Sequence, residues 1–197
     1  MTTGQRAHAR KDETMTFMRL CAVATMAVAL ATTSAAAKNP IVGGQEMFPS
    51  KNIIQNAVNS ADHTTLLAAV KAANLVDTLQ GPGPFTVFAP TNAAFAKLPA
   101  GTVESLLRPE SKAMLTKVLT YHVVSGRLSV DELKKQIKRG GGTATLKTVS
   151  GGMLWAMMDS KDIVLKDEKG EVSRITQANV FQSNGVIHVI DSVVLPN

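Results

Sequence analysis

Apolar positions along this chain change their period near residue 143. Before that point they recur at helical spacing. Ile53, Ile54, Ala57 and Val58 form one stripe, and Leu66, Leu67, Val70 and Ala73 form a second behind Asp62, which is expected to cap that helix. GPGP at 81–84 breaks the pattern. Phe85, Val87 and Ala89 then alternate with Thr86 and Phe88, which predicts a strand; Phe88 makes it apolar on both faces, as in a central strand. Helices are expected over 92–97 behind Thr91 and over 109–120, where Met114, Leu115, Val118 and Leu119 face inward and Pro109 suits the first turn. Another opens with Ser129 and Glu132 as a capping box, carries Val130, Leu133 and Ile137 inward, and is stopped by the glycines at 140–142.

Beyond Thr143 the pattern shortens to strands and turns. Strands are expected at 143–149, 153–158, 162–166, 172–181, 186–190 and 193–195, with hairpin turns at 159–161, at Lys169-Gly170 and at Asn184-Gly185. The Asn-Gly pair is the strongest turn signal, because both residues tolerate the positive φ of a two-residue hairpin. Helices first and strands later predict an α+β fold.

The amino terminus carries a different kind of signal. From Met15, a leader with Arg19 precedes the apolar run 20–31, and 32–37 is small and polar, which is the layout of a secretory signal peptide. Cleavage is expected near Ala36 or Ala37, and the run is shorter than the roughly 20 apolar residues of a spanning helix, so no stable membrane insertion is expected. Residues 1–14 read as an N-terminal extension, with the start at Met1 or at Met15. The one cysteine, Cys21, lies inside the leader and too early in it for lipid attachment, so the exported chain would have no disulfide. That suits a bacterial periplasm or medium. Four of the 21 basic and two of the 15 acidic residues precede Lys38, leaving about +4 on the remainder, a mild charge. Residues 38–51, with two prolines, a Gly-Gly pair and no period, read as a linker or flexible arm, and 52–197 as a single domain.

Three segments then narrow the picture: TVFAPTNAAF at 86–95, YHVV at 121–124 and NGVIHVIDSVVLP at 184–196, in that order within one domain. Together they resemble the fasciclin (FAS1) family, over about 52–196. The resemblance implies a wedge of two β-sheets, about seven strands in all, flanked by several α-helices. It also implies an extracellular adhesion and binding module in place of an enzyme. Many family members carry tandem repeats; no second copy of the segments occurs here, and a monomer without built-in avidity is expected.

The resemblance carries two candidate binding motifs onto this chain. The family's Tyr-His motif, linked to adhesion, falls on Tyr121 and His122. Its Asp-Ile pair falls on Asn179 and Val180, where an amide replaces the carboxylate, so recognition of an animal receptor through a metal-bound carboxylate is not carried over. Each motif also has a purely structural reading: His122 and His188 as buried imidazoles bonded to backbone, Tyr121 as a core aromatic with a bonded hydroxyl, and Asn179 as part of a hydrogen-bonded turn.

Catalytic and cofactor signatures are missing from the sequence. It holds no HExxH, GxSxG, phosphate-loop or GxGxxG pattern, and the glycines at 140–142 follow a helix instead of opening one. His63, His122 and His188 fit no zinc spacing. No catalytic residue, metal or cofactor is therefore expected. Lys134, Lys135, Lys138 and Arg139 cluster at one helix end, where cations favour the dipole. They offer a salt-sensitive surface for an acidic polysaccharide or a cell-surface protein; nucleic acid is not expected, because no aromatics interleave with the basic residues. Two function classes stay open: a secreted adhesion or matrix-binding module, and a periplasmic small-molecule carrier or accessory protein with an apolar cleft near Trp155, Met157 and Met158.

Overall fold

The computed structural model describes residues 39–197. The extension expected at 1–14, the leader at 15–37 and its cleavage point lie outside the described residues. From Asn39 onward the expected linker is built into the domain. Ile41–Val42 (β1) and Gln45–Glu46 (β2) pair as an antiparallel hairpin turned by Gly43 and Gly44 at φ 57° and 76°. Val42 and Met47 are buried in the core. Strands of two residues are too short to show a period, which is why the sequence pattern missed them.

Three short helices follow: Ile53–Ala57 (α1), Thr64–Ala72 (α2) and Val76–Gln80 (α3). Asn52 and Gln55 form a full capping box on α1. Asp62 does not cap α2. It sits in a 3-10 turn, Ala61–His63, and the start of α2 is held from 27 residues away, where Asn92 accepts from the Thr65 amide at 3.0 Å and donates to the Ala61 carbonyl at 2.9 Å. Phe85–Pro90 (β3) leads into Asn92–Ala96 (α4), capped by Thr91, whose hydroxyl accepts from the Ala94 amide. Thr102–Leu106 (α5), a 3-10 turn at Pro109–Ser111 and Lys112–Tyr121 (α6) complete the helical layer.

Val123–Ser125 (β4), Val130–Arg139 (α7), Thr143–Lys147 (β5), Met153–Asp159 (β6), Asp162–Lys166 (β7), Val172–Gln182 (β8) and Gly185–Ile190 (β9) follow. The seven-stranded order is β4-β3-β9-β8-β7-β6-β5, mostly antiparallel, with β3 and β9 parallel. Val124 bridges Thr148 beyond β5, so the sheet nearly closes. The wedge arises in β8: residues 172–174 pair with β7 and residues from 175 on with β9, with register shifts between Ile175 and Gln177 and between Gln177 and Val180. Such bulges bend a strand and let it pass from one sheet to another.

β3 and β9 divide the interior. Val87, Ala89, Ile187 and Val189 face the helical layer with Ile53, Val70 and Leu119, whereas Phe88 and Ile190 face the inside of the wedge with Tyr121, Leu133 and Leu154. Each strand therefore has apolar residues on both faces, and all six residues of β9 are buried. Gly185 lies where a Cβ would meet the Phe85 carbonyl oxygen at 2.2 Å, so the close parallel approach of β3 and β9 requires glycine there.

Two strand expectations change. The β8–β9 hairpin forms, but its loop residues are Ser183 and Asn184, neither with positive φ. Asn184 acts through its side chain instead, accepting from the Ile53 amide at 3.1 Å and donating to the carbonyls of Leu79 and Gly81 at 2.8 and 3.1 Å. Residues 193–195 are not a strand. Their amides bond to side chains: Val194 to His122, and Leu195 to the Asp167 carboxylate.

Candidate functional site

Tyr121 is the last residue of α6 and His122 its C-cap, so the turn from helix to β4 aims the two side chains into different parts of the interior. Neither ring reaches the surface: Tyr121 is 0% and His122 2% exposed. The Tyr121 hydroxyl donates to the Met153 carbonyl at 2.6 Å and accepts from the Glu168 amide at 3.1 Å. Burial pushes the phenol up to about 12, the Glu168 amide opposing and the nearby Glu168 and Asp167 carboxylates adding to the rise. The phenol thus stitches α6 to β6 and to the β7–β8 turn.

His122 is bonded at both nitrogens. Nδ1 lies 2.8 Å from the Val118 carbonyl, and Nε2 accepts from the Val194 amide at 3.2 Å. A carbonyl can only accept, so the proton is assigned to Nδ1 and the ring is neutral. Burial lowers its pKa to about 4, against smaller opposing effects of the Val118 carbonyl and the Asp167 carboxylate. His188 is held in the same manner: Nε2 donates to the Leu128 carbonyl at 2.7 Å, Nδ1 accepts from the Asn179 amide at 3.4 Å, and the ring stacks on Phe88 with centroids 5.8 Å apart. Burial lowers its pKa as well.

Asn179 occupies the second irregularity of β8 at φ 59°, a left-handed conformation that asparagine tolerates better than most residues. Its Oδ1 accepts from the Val130 amide at 2.9 Å, holding the first turn of α7, and the side chain is half-buried. Val180 beside it is 1% exposed and packs in the core. The two motifs are therefore linked to the same interior but are not assembled into one exposed patch. Tyr121, His122 and Val180 lie buried, and the half-buried Asn179 uses its Oδ1 to hold α7. The positive φ at Asn179 and its long-range bond to α7 carried no signal in the local sequence.

The basic helix end behaves differently. In α7, Ser129 accepts from the Glu132 amide at 3.3 Å while Lys134, Lys135, Lys138 and Arg139 all stand exposed. Glu132 lies 4.0 Å from Lys135 and 3.9 Å from Arg139, separations and exposures at which ion pairs contribute little. Lys134 and Lys138 have no ion-pair partner among the described residues. Leu133 and Ile137 anchor the opposite side of the helix inside the wedge. Where an apolar cleft was expected, Trp155 and Met157 instead line an open hollow shared with the charged stretch Lys166 to Lys169, and Met158 stands 39% exposed at the end of β6.

One nucleophile–base pair occurs that no sequence motif marks. The Ser60 hydroxyl lies 2.8 Å from Nδ1 of His63, both residues being 4% exposed. Among the described residues no carboxylate is bonded to the imidazole, whose Nε2 is unpartnered, so the pair lacks the third member that would make it a hydrolytic triad. Among the described residues no group of three or more His, Cys, Asp or Glu side chains lies together as metal ligands would, and no helix is long and apolar enough to cross a membrane.

The Fasciclin domain family model matches residues 61–196. The chain belongs to the fasciclin family. Relatives of this fasciclin domain include protein sll1483 of Synechocystis, 43% identical over 171 residues, covering 86% of this chain and 87% of the relative. The immunogenic protein MPB70 of Mycobacterium bovis is 37% identical over 145 residues, covering 71% of this chain and 66% of the relative. The cell surface glycolipoprotein MPB83 of the same species is 34% identical over 167 residues, covering 82% and 68%. Among solved structures, a FAS1 domain pair from the insect cell adhesion molecule Fasciclin I superposes with a TM-score of 0.66 at 18% identity, covering 75% of this chain and 51% of that one. At that identity the likeness concerns the fold alone.

Proposed function

We propose that this fasciclin domain is an exported, non-catalytic interaction module that holds to a cell surface or extracellular matrix through the exposed basic end of α7, with an acidic polysaccharide as partner. The observation that carries the reading is a division of labour. The Tyr-His pair and His188 are neutral groups consumed by internal hydrogen bonds, whereas Lys134 and Lys138, without an ion-pair partner among the described residues, project beside Lys135 and Arg139 from a helix fixed on its other face. Close relatives among mycobacterial proteins include one named as a cell surface glycolipoprotein, which supports export. A cell-surface protein with an acidic patch is the alternative partner.

The test is binding of the protein to an immobilised uronic-acid polysaccharide as ionic strength rises from about 0.01 to 1 M, which shortens the Debye length from about 30 to 3 Å. Saturable binding that weakens steeply along that series is expected. Binding that is indifferent to salt would remove the charged face from the account.

A further inference from the structure

A cavity of about 70 Å³ lies between the helical layer and the β3–β9 face, with a wall that is almost wholly apolar and includes Ile54, Val70, Leu79, Val87 and Ile187. His63 lines it too, and Nε2 of this 4% exposed ring is the buried side-chain atom without a hydrogen-bond partner among the described residues. Native cores leave few voids larger than a water molecule, and buried polar atoms are rarely left unmatched. Both departures meet at one place.

The polarity of the unmet group follows from its neighbours. Among the described residues Ser60 Oγ bonds only to Nδ1 of His63, so the arrangement leaving the fewest groups unmet has the hydroxyl donating to Nδ1. The proton then sits on Nε2, and the unmet group of this cavity-lining residue is an N–H donor. The Ala89 carbonyl opposes the lowering of the imidazole pKa by burial, as an acceptor that falls short of full hydrogen-bond geometry.

Water would fit by size, since roughly 10–15 Å³ of such space accommodates one molecule. It would be poorly held. Buried waters make about three hydrogen bonds, and of the polar side chains in the wall the His122 nitrogens and the Ser60 and Thr120 hydroxyls are already bonded within the protein, while Thr78 is exposed. A charged ligand is disfavoured by burial without a counter-charge. An aliphatic group carrying one neutral acceptor meets both the apolar wall and the unmet His63 donor. Val149, a wall residue that is 46% exposed, marks where the cavity nears solvent.

We infer that the cavity is a binding site for a small neutral aliphatic molecule, or the end of an alkyl chain, bearing one hydrogen-bond acceptor, a ketone, ester or alcohol oxygen, which takes the His63 Nε2–H. The site is independent of the basic face on α7.

The protein, labelled with ¹⁵N at histidine, is titrated with methyl ketones of increasing chain length and with the matching alkanes, and the His63 ring resonances are followed. Saturable shifts at His63 are expected with the ketones. Affinity should rise about fourfold per added methylene until the cavity is filled, and each ketone should bind about fivefold more tightly than its alkane. No saturable shift at any chain length, with a bound-water cross-peak on the Nε2 proton, would overturn the inference. So would equal binding of ketone and alkane with His63 unmoved. Because the readout is on the unaltered protein, it does not depend on whether a His63 variant folds.

Discussion

His122 should make the domain lose stability in mild acid, by an amount its surroundings set. The ring is 2% exposed and its pKa is lowered to about 4, mainly by burial, from an ordinary value of 6.5. Between those values the unfolded chain takes up a proton that the folded chain refuses, so unfolding gains as the pH falls. The contribution is complete above about pH 6.5 and lost progressively down to about pH 4. A difference of about 2.5 pKa units corresponds to about 3 kcal/mol, a large share of an ordinary domain's 5–15 kcal/mol. His122→Phe removes this titration. At neutral pH it also deprives the Val194 amide of its acceptor, which costs about 1–3 kcal/mol. The variant should therefore start less stable at pH 7.5 but lose less as the pH falls. Urea unfolding of both proteins from pH 7.5 to 4.5 measures the two slopes. Parallel slopes would refute the reasoning, as would a His122 ring that titrates near 6.5 in the folded protein by NMR. His63 and His188, also lowered by burial, add losses of the same sign to both proteins.

Tyr121→Phe removes one donor and one acceptor from a buried position and should cost about 1–3 kcal/mol in chemical unfolding, with binding per folded molecule unchanged. Asn184→Ala deletes three bonds that tie the β8–β9 turn to α1 and to the end of α3, and should cost about 2–4 kcal/mol by the same assay. The double variant Lys134→Glu, Lys138→Glu touches only exposed side chains; because Lys138 favours the dipole in the last turn of α7, stability should fall by about 1 kcal/mol, while polysaccharide binding is lost at low salt.

The parts of the fold that were legible in the sequence are those where one segment's own pattern decides. Phe88 on an otherwise alternating strand marked β3 as covered on both faces, Thr91 and Ser129 marked helix starts, and the run from Thr143 marked the strands. Segments whose geometry is settled by distant partners were misread. Asp62 was a reasonable local cap, yet Asn92 holds that helix from across the chain. Residues 193–195 alternate like a strand, yet His122 and Asp167 take their amides. Asn184-Gly185 looked like a positive-φ turn, whereas Asn184 is fixed by bonds to α1 and the α3 end, and Gly185 by the Phe85 backbone. The candidate site divided in the same way. The Tyr-His pair was recognisable as a motif, but only the three-dimensional arrangement shows both rings spent on internal bonds. The unmet nitrogen of His63 is likewise a property of the surrounding void and not of any local spacing.

Partners are proposed to meet the exposed basic face and not the buried Tyr-His pair. Binding of the unaltered protein, the Lys134→Glu, Lys138→Glu variant and the His122→Phe variant to intact cells, counted per folded molecule at low and high salt, tests it most directly. The account predicts saturable, salt-weakened binding that the lysine variant loses and the His122 variant keeps. Undiminished binding by the lysine variant, with loss in a folded His122 variant, would contradict it.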